Sequence, residues 1–386
     1  MKLGEPHGGR LIDRRVDGRK KERLEQEALE LPRIKGDERI LSDCWQIAIG
    51  GFSPLEGFLL REDYVSVVEK ARLSNGVIWS FPVVLPVVDK FVDQVSEGDT
   101  ISIFEGDKPI AMVDVEEIYQ RDKKFEIEKF FMVEDTSHPG IQKLIEQPDN
   151  LIGGKILLIN RPEKTFIETQ LEPRETRREF EKRNWKTIVA FQTRNIPHLA
   201  HEYLQRIGLE IADGLFIHPI IGERKPGDFP PKAIIEAYNW IIRNLYPSNK
   251  VLLSFLWTWM RFAGPREALH HCLVRKNYGA THHIIGRLHA SPAGYYPEYA
   301  THEYLRQFDI NELGIQPLLL HGPFYCKKCG MIATESTCGH SDDFRVKISM
   351  TFIRRKLREG KMEEIPEEII RREILEIAKK YIEHIG

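Results

Sequence analysis

The chain has 386 residues, 41% hydrophobic and 30% charged, enough apolar material for roughly two to three domains of about 150 residues and too much for a disordered chain. Lys and Arg total 56 against 58 Asp and Glu, a formal net charge of −2, which excludes a scaffold that grips nucleic acid by bulk charge. No run approaches the roughly 18 apolar residues of a membrane span, and the start MKLGEPHGGRLIDRR has no secretory h-region, so a soluble, cytoplasmic protein bound to neither membrane nor nucleic acid is expected.

From Val77 to about Leu158 short alternating apolar runs (VIWSFPVVLPVV, TISIFEG, PIAMVDVEEIY, KILLIN) read as strands parted by turns such as Glu97-Gly98-Asp99. They predict a mostly β amino-terminal domain over residues 1–170. The charged, helix-prone stretch Glu168–Lys186 reads as the connector. Beyond it the rhythm is strand, helix, strand, helix: TIVAFQT (187–193), HLAHEYLQRIGLE, GLFIHPII (214–221), KAIIEAYNWIIRNLY, KVLLSFL, PREALHHCLVRKNYG, THHIIG and IQPLLL. Strands apolar on both faces alternating with helices predict a parallel α/β domain over 171–322. The tail, 323–386, reads as a small third unit with a cysteine cluster and helices near Phe352–Glu359 and Pro366–Ile385.

In a parallel sheet of this kind ligands bind beyond the carboxyl ends of the strands. TIVAF runs into Gln192, Thr193, Arg194 and Asn195, then His198 and His201. If a helix starts near His198, the two imidazoles share a face at its positive end. Arg194 adds a planar cation matched to tetrahedral oxyanions. A lone HxxH is more often a surface pair, but four polar residues at the end of a buried strand outline an oxyanion site. A second cluster, Gly286-Arg287-Leu288-His289-Ala290-Ser291, follows THHIIG, and its glycine permits close backbone approach. Lys225, in HPIIGERKPGD, reads either as a phosphate contact or as part of a solvated loop.

The five cysteines are Cys44, Cys272, Cys326, Cys329 and Cys338, an odd number that argues against a disulfide framework. Cys326, Cys329, Cys338 and His340 give C-x2-C-x8-C-x-H, a set able to close a structural tetrahedral zinc site. The alternatives are reduced thiols without metal, or Asp342 or Asp343 in place of His340. Cys44 and Cys272 read as plain buried residues.

Taken together, PHGGRL, LSDCWQIAIGGFSPLEGF, VIWSFPVVLPV, HPGIQKL, FQTRN with two downstream histidines, HPIIGERKPGD, MRFAGPREALHHCLVRKNYGATH and FYCKKCG resemble the ATP sulfurylase (sulfate adenylyltransferase) family over nearly the whole chain. The resemblance implies a PUA-like β domain, a Rossmann-like catalytic domain and a small carboxyl-terminal domain, and a homo-oligomer. It implies MgATP and sulfate as substrates, with adenosine 5′-phosphosulfate and pyrophosphate as products. It places Thr193, Arg194, Asn195, His198 and His201 in the catalytic set. Gln192 and Arg194 would bind sulfate, and the two histidines the phosphates. Asn195 would meet the α-phosphate or nearby backbone, Arg287 and His289 phosphate oxygens, and the Ala290 backbone would lie near sulfate, with Gly286 and Lys225 completing the binding set.

Four departures from the family pattern stand out. Proline has moved one place, giving Asn195-Ile196-Pro197-His198. Leu288 and Ser291 stand where the family has aspartate and glycine. Trp257 and Trp259 precede and follow Thr258 where small residues are usual, and two indoles there can narrow the pocket. Met350 replaces a glycine. These departures admit two alternatives: an adenylyltransferase for another oxyanion or organic acid, or a non-catalytic nucleotide-binding paralogue. No GxxxxGK[ST] pattern occurs, so a fused P-loop kinase is not expected.

Overall fold

The computed structural model describes residues 4–163, 170–222 and 227–384. In the amino-terminal part the long strand Asn150–Leu158 is the hub. It pairs antiparallel with Gly57–Phe58, Leu85–Val87, Lys108–Asp114 and Glu117–Gln120, and Lys108–Asp114 continues to Thr100–Glu105 and Arg33–Lys35. Burial does not alternate as the sequence pattern predicts: Thr100–Glu105 and Lys108–Asp114 are buried along nearly their whole length, because both faces of this sheet are covered. The run VIWSFPVVLPVV yields only the three residues Leu85–Val87, because Pro82 and Pro86 remove ladder donors. The stretch before Val77, which has no strand rhythm, supplies the helices Gly18–Glu30, Glu38–Ala48 and Arg61–Lys70.

The second sheet is wholly parallel: β1 (Ile188–Phe191), β2 (Gly214–Ile217), β3 (Val251–Leu253), β4 (His282–Ile285) and β5 (Gln316–Leu319) lie in the order β3-β2-β1-β4-β5. Every residue of β1 and β2 is buried, which accounts for their continuous apolar runs. Helices α1 (Leu199–Ile211), α2 (Pro231–Leu245) and α3 (Pro265–Asn277) follow β1, β2 and β3 in the chain. The winding direction reverses between β1 and β4, so their carboxyl ends open the crevice where such folds bind ligands. GLFIHPII breaks after Ile217, and Ile220–Ile221 pairs instead with Leu256–Trp257 as a separate parallel ribbon.

The tail differs from a free-standing helical unit. Cys326 lies in a three-stranded antiparallel ribbon of Phe324–Cys326, Met331–Ala333 and Arg345–Lys347, with Cys326, Cys338, Phe324 and Ala333 in their own small apolar cluster. The helices α4 (Met350–Arg358) and α5 (Arg372–Lys379) instead bury Ile353, Leu357, Ile374 and Leu375 in the main core, and α5 packs on α2. That core is continuous between the amino-terminal and parallel-sheet parts. The seam is polar as well as apolar: Asn277 donates to the carbonyls of Gly51 and Ser53 at 3.0 Å each and accepts the His7 N–H at 2.8 Å. No helix among the described residues is long and apolar enough to cross a membrane.

Candidate active site

The loop after β1 is held by backbone bonds before any ligand arrives. The Ile220 N–H donates to the Thr193 carbonyl at 2.9 Å, and the Asn195 N–H donates to the Thr193 hydroxyl at 3.1 Å. Thr193 is thereby a turn-former whose side chain is engaged locally, though it lines the cleft. Ile196 is fully buried, and the shifted Pro197 leads into an extended His198 (φ −137°, ψ 170°) that caps α1. His198 Nδ1 accepts the His201 N–H at 3.3 Å, and the two rings stack at 3.7 Å between centroids. The offset of the two histidines therefore survives the displaced proline. The positive end of α1 is less open than expected, since the Leu199 N–H already donates to the Ile369 carbonyl at 3.0 Å.

The facing wall comes from β4. Leu288 and Ala290 hold φ of +52° and +56°, and their turn is closed by the Leu288 N–H on the Glu298 carbonyl (3.0 Å) and the Ser291 N–H on the Leu288 carbonyl (3.1 Å). A Cβ at Gly286 would meet nothing closer than Leu204 Cδ1 at 3.9 Å, so the missing side chain leaves open space facing the cleft. Arg287 pairs with Glu298 at 2.7 Å. His289 Nε2 lies 3.0 Å from Nδ1 of His271.

One cleft receives both loops. Gln192, Thr193, Arg194, Asn195, His198, His201, Gly286, Arg287, His289 and Ala290, all singled out from sequence, line it together. Lys225 lies outside the described residues. Sequence reasoning missed Arg354, which reaches in from α4 to donate to Asn195 Oδ1 at 2.5 Å and Asp228 Oδ1 at 3.1 Å, while Arg194 holds the other Asp228 oxygen at 3.0 Å. Nothing in RRKLRE marks one arginine of α4 as the inward one. Thr351, Phe262, Gly322 and Pro323 also border the cleft.

Charge and protonation favour anions. The described lining residues carry three guanidinium groups, Arg194, Arg287 and Arg354, and one carboxylate, Asp228; Arg287 pairs with Glu298 at the edge of the cleft. Burial pushes His198 down to about 4 and His289 to about 3. It also holds His201 well below its ordinary value, with His198 adding to the effect. All three are therefore neutral near pH 7 and act as hydrogen-bond groups, leaving the positive charge to the guanidinium groups.

The two indoles do not narrow this cleft. Trp259 turns to the amino-terminal part, its Nε1 donating to Asp43 at 3.3 Å and its ring 4.0 Å from the Arg261 guanidinium. Trp257 is 2% exposed, and its carbonyl accepts from Gln46 Nε2 at 2.9 Å. Neither borders the ligand space, so the expectation of a reshaped pocket is corrected: Asp43 of helix Glu38–Ala48 holds the Trp259 indole, and Trp257 is buried in the core.

The tail brings Cys326, Cys329, Cys338 and His340 together, all ligand atoms within 4.8 Å of one another and all thiols free. Cys329 Sγ is 3.6 Å from Cys338 Sγ, and His340 Nδ1 is 3.2–3.5 Å from the three sulfurs. A tetrahedron with metal–sulfur bonds of about 2.3 Å has edges of about 3.8 Å, shorter where nitrogen replaces sulfur, so the donor set fits zinc.

A parallel sheet opened at its switch point onto guanidinium groups and neutral imidazoles defines a nucleotide-binding α/β protein suited to polyanions. The ATP-sulfurylase family model matches residues 168–381, and a PUA-like domain model matches 4–161. The chain belongs to the ATP-sulfurylase family. The sulfate adenylyltransferase of Hyperthermus butylicus is 46% identical over 379 residues, covering 98% of this chain and 96% of that one. The enzyme of the same name from Ignicoccus hospitalis is 44% identical and covers 98% of both chains. A solved structure described as a hexameric APS kinase from Thiobacillus denitrificans superposes with a TM-score of 0.76, covering 98% of this chain and 68% of that one; at 21% identity the likeness is one of fold.

Proposed function

We infer that this protein is a nucleotidyltransferase that converts ATP and sulfate to adenosine 5′-phosphosulfate and pyrophosphate. Full-length relatives named sulfate adenylyltransferase support the reaction. The observation that carries the site is the convergence of Arg194, His198, Arg287 and His289 from two strand ends on one cleft.

A sulfate oxygen attacks the α-phosphorus as the bond to the pyrophosphate oxygen breaks, so no protein nucleophile is required. The cleft is consistent with this: no cysteine or lysine is among its described lining residues, and the Thr193 and Ser291 hydroxyls, though not that of Thr351, are engaged with backbone. The protein's work is to hold two anions together and stabilise charge that grows on the phosphates. On this reading Arg194 and Gln192 take sulfate, with the Ala290 backbone beside it. Asn195 lies at the α-phosphate. His198, His201, Arg287 and His289 donate to phosphate oxygens, and Lys225 adds a point charge.

Asp228 is already shared by two arginines, so magnesium would be carried on the triphosphate, where it neutralises oxygen charge. Zinc would be held by Cys326, Cys329, Cys338 and His340 and would tie the ribbon. Arg194 and Arg354 are bridged by Asp228 in the free protein, so sulfate binding replaces one carboxylate partner of Arg194 by another oxyanion.

The test follows ATP release from adenosine 5′-phosphosulfate and pyrophosphate. The protein is expected to form ATP promptly, and Arg194→Ala to lower kcat by roughly 10²–10³-fold, the range for losing one preorganised anion donor. A folded protein that binds nucleotide but forms no ATP would instead be the non-catalytic paralogue.

A further inference from the structure

Behind His289 lies a line of polar groups that the reaction above does not use. His289 Nε2 is 3.0 Å from Nδ1 of His271, which is 2% exposed on α3. One turn earlier on the same helix, Glu267 Oε1 is 3.8 Å from His271 Nε2. The position of Glu267 is fixed in turn, because its oxygens accept the N–H groups of Arg261 at 3.0 Å and Ala263 at 3.1 Å. Glu267, His271 and His289 thus run in line from the helix interior to the cleft. The outer nitrogen of His289, Nδ1, makes no hydrogen bond with any described residue, and its ring borders the cleft.

The protons on this line are constrained by chemistry. Burial holds His271 well below its ordinary value and His289 at about 3, so both rings are neutral and each has one N–H and one lone pair. Titratable neighbours disfavour a proton on either ring, the Arg275 guanidinium most strongly. Arg275 acts on both rings from α3, His270 and His283 act on His271 from α3 and β4, and His302 acts on His289 from the helix Ala300–Leu305. Only two arrangements satisfy the 3.0 Å contact. If His289 donates to His271, its cleft-facing Nδ1 is a lone pair and repels a phosphate oxygen. If His271 donates, Nδ1–H of His289 is free to donate to the ligand, and the lone pair on His271 Nε2 faces Glu267.

We propose that His271 is a positioning residue: it donates its Nδ1–H to His289 across the 3.0 Å contact and so presents His289 to the phosphate ligand as an Nδ1–H donor. Burial lifts the Glu267 carboxyl to about 7, against the pull of the Arg261 and Ala263 N–H groups and of the Arg261 and Arg194 charges, so near neutral pH it can take the proton that removes its repulsion of the His271 Nε2 lone pair. The proposal rests on the reading that His289 meets phosphate.

Two variants and one spectrum test it. His271→Leu keeps most of the volume but removes the donor, and is expected to raise KM for pyrophosphate roughly ten- to hundredfold. His271→Asn places an amide N–H where Nδ1–H stood, and is expected to return KM to within about threefold of the parent. A merely structural role for His271 moves the two variants alike, and that result would overturn the proposal. In the ¹⁵N-histidine spectrum of the pyrophosphate-bound parent protein, His289 is expected to be protonated at Nδ1, and a proton on Nε2 would refute the inference. Absence of ATP formation by the parent defeats the functional reading instead, and the spectrum still decides the tautomer.

Discussion

Leu288 and Ala290 occupy the left-handed region within two residues of His289, a conformation that costs an L-residue about 1–2 kcal/mol. Strain of this kind persists only where surrounding bonds enforce it. Here the Gly264 N–H donates to the Ala290 carbonyl at 3.3 Å, binding the loop after β4 to the loop before α3. Gly264 has φ +49°, and a Cβ there would meet the Tyr296 ring at 2.9 Å, so that contact requires glycine. Ala290→Gly is expected to relieve the Ala290 strain and raise stability by about 0.5–1 kcal/mol after the extra chain entropy of glycine is deducted. A urea midpoint that stays put or falls would contradict the strain argument. The residues around this loop were legible from sequence because they sit consecutively at strand ends. Arg354 was not, because its partner Asn195 is 159 positions away and α4 shows several equivalent cations. The two tryptophans were misplaced for a related reason: neighbours in sequence do not disclose that the Trp259 indole is held by Asp43, more than 200 residues earlier, or that Trp257 is buried in the core.

Among the elements, the long buried strands and amphipathic helices were readable and the three-residue ribbon strands were not. Three residues carry too little alternation to separate a strand from a loop. Chemistry succeeded where periodicity failed, since the spacing of Cys326, Cys329, Cys338 and His340 named the four groups that come together. The ribbon's own apolar cluster is only Phe324, Ala333 and two of those cysteines. So small a core is a weak hold on three short strands, and a metal held by these four groups would supply the missing free energy. The ribbon also touches the helix that carries His201, through Tyr203 and Thr337 hydroxyls 3.3 Å apart. Purified protein is expected to contain about one zinc per chain, and strong chelation or Cys326→Ser to lower the melting temperature. Stoichiometric metal analysis with melting curves checks this, and a metal-free preparation that melts unchanged would exclude a structural metal.

At the scale of the molecule, one core joins the PUA-like and α/β parts and holds an unusual number of neutral histidines. His7, at the seam, is pushed down to about 4, as is His198, and His289 to about 3; His201, His218, His270, His271 and His283 are also held well below their ordinary value. Desolvation is the largest cause in each. In the unfolded chain these rings protonate near 6.5. The unfolded state therefore binds more protons as pH falls from about 6.5 towards 4, and stability drops through that window. Glu267 opposes this, because its folded value of about 7 lies above its unfolded one, so it gains a proton in the folded state first. Asp43 and Glu172, also raised by burial, act in the same direction, but three carboxyls do not offset eight lowered histidines. Stability is expected to be full above about pH 6.5 and to fall steeply towards pH 4, with the His7 contribution felt at the seam between the two parts. Urea midpoints measured from pH 7.5 to 4.5 check the sign. A pyrophosphate-saturated sample should show the decline at lower pH, because ligand contacts stabilise the folded state alone. Midpoints that hold level between pH 6.5 and 5 would mean that these rings are hydrated, or already charged, in the native core.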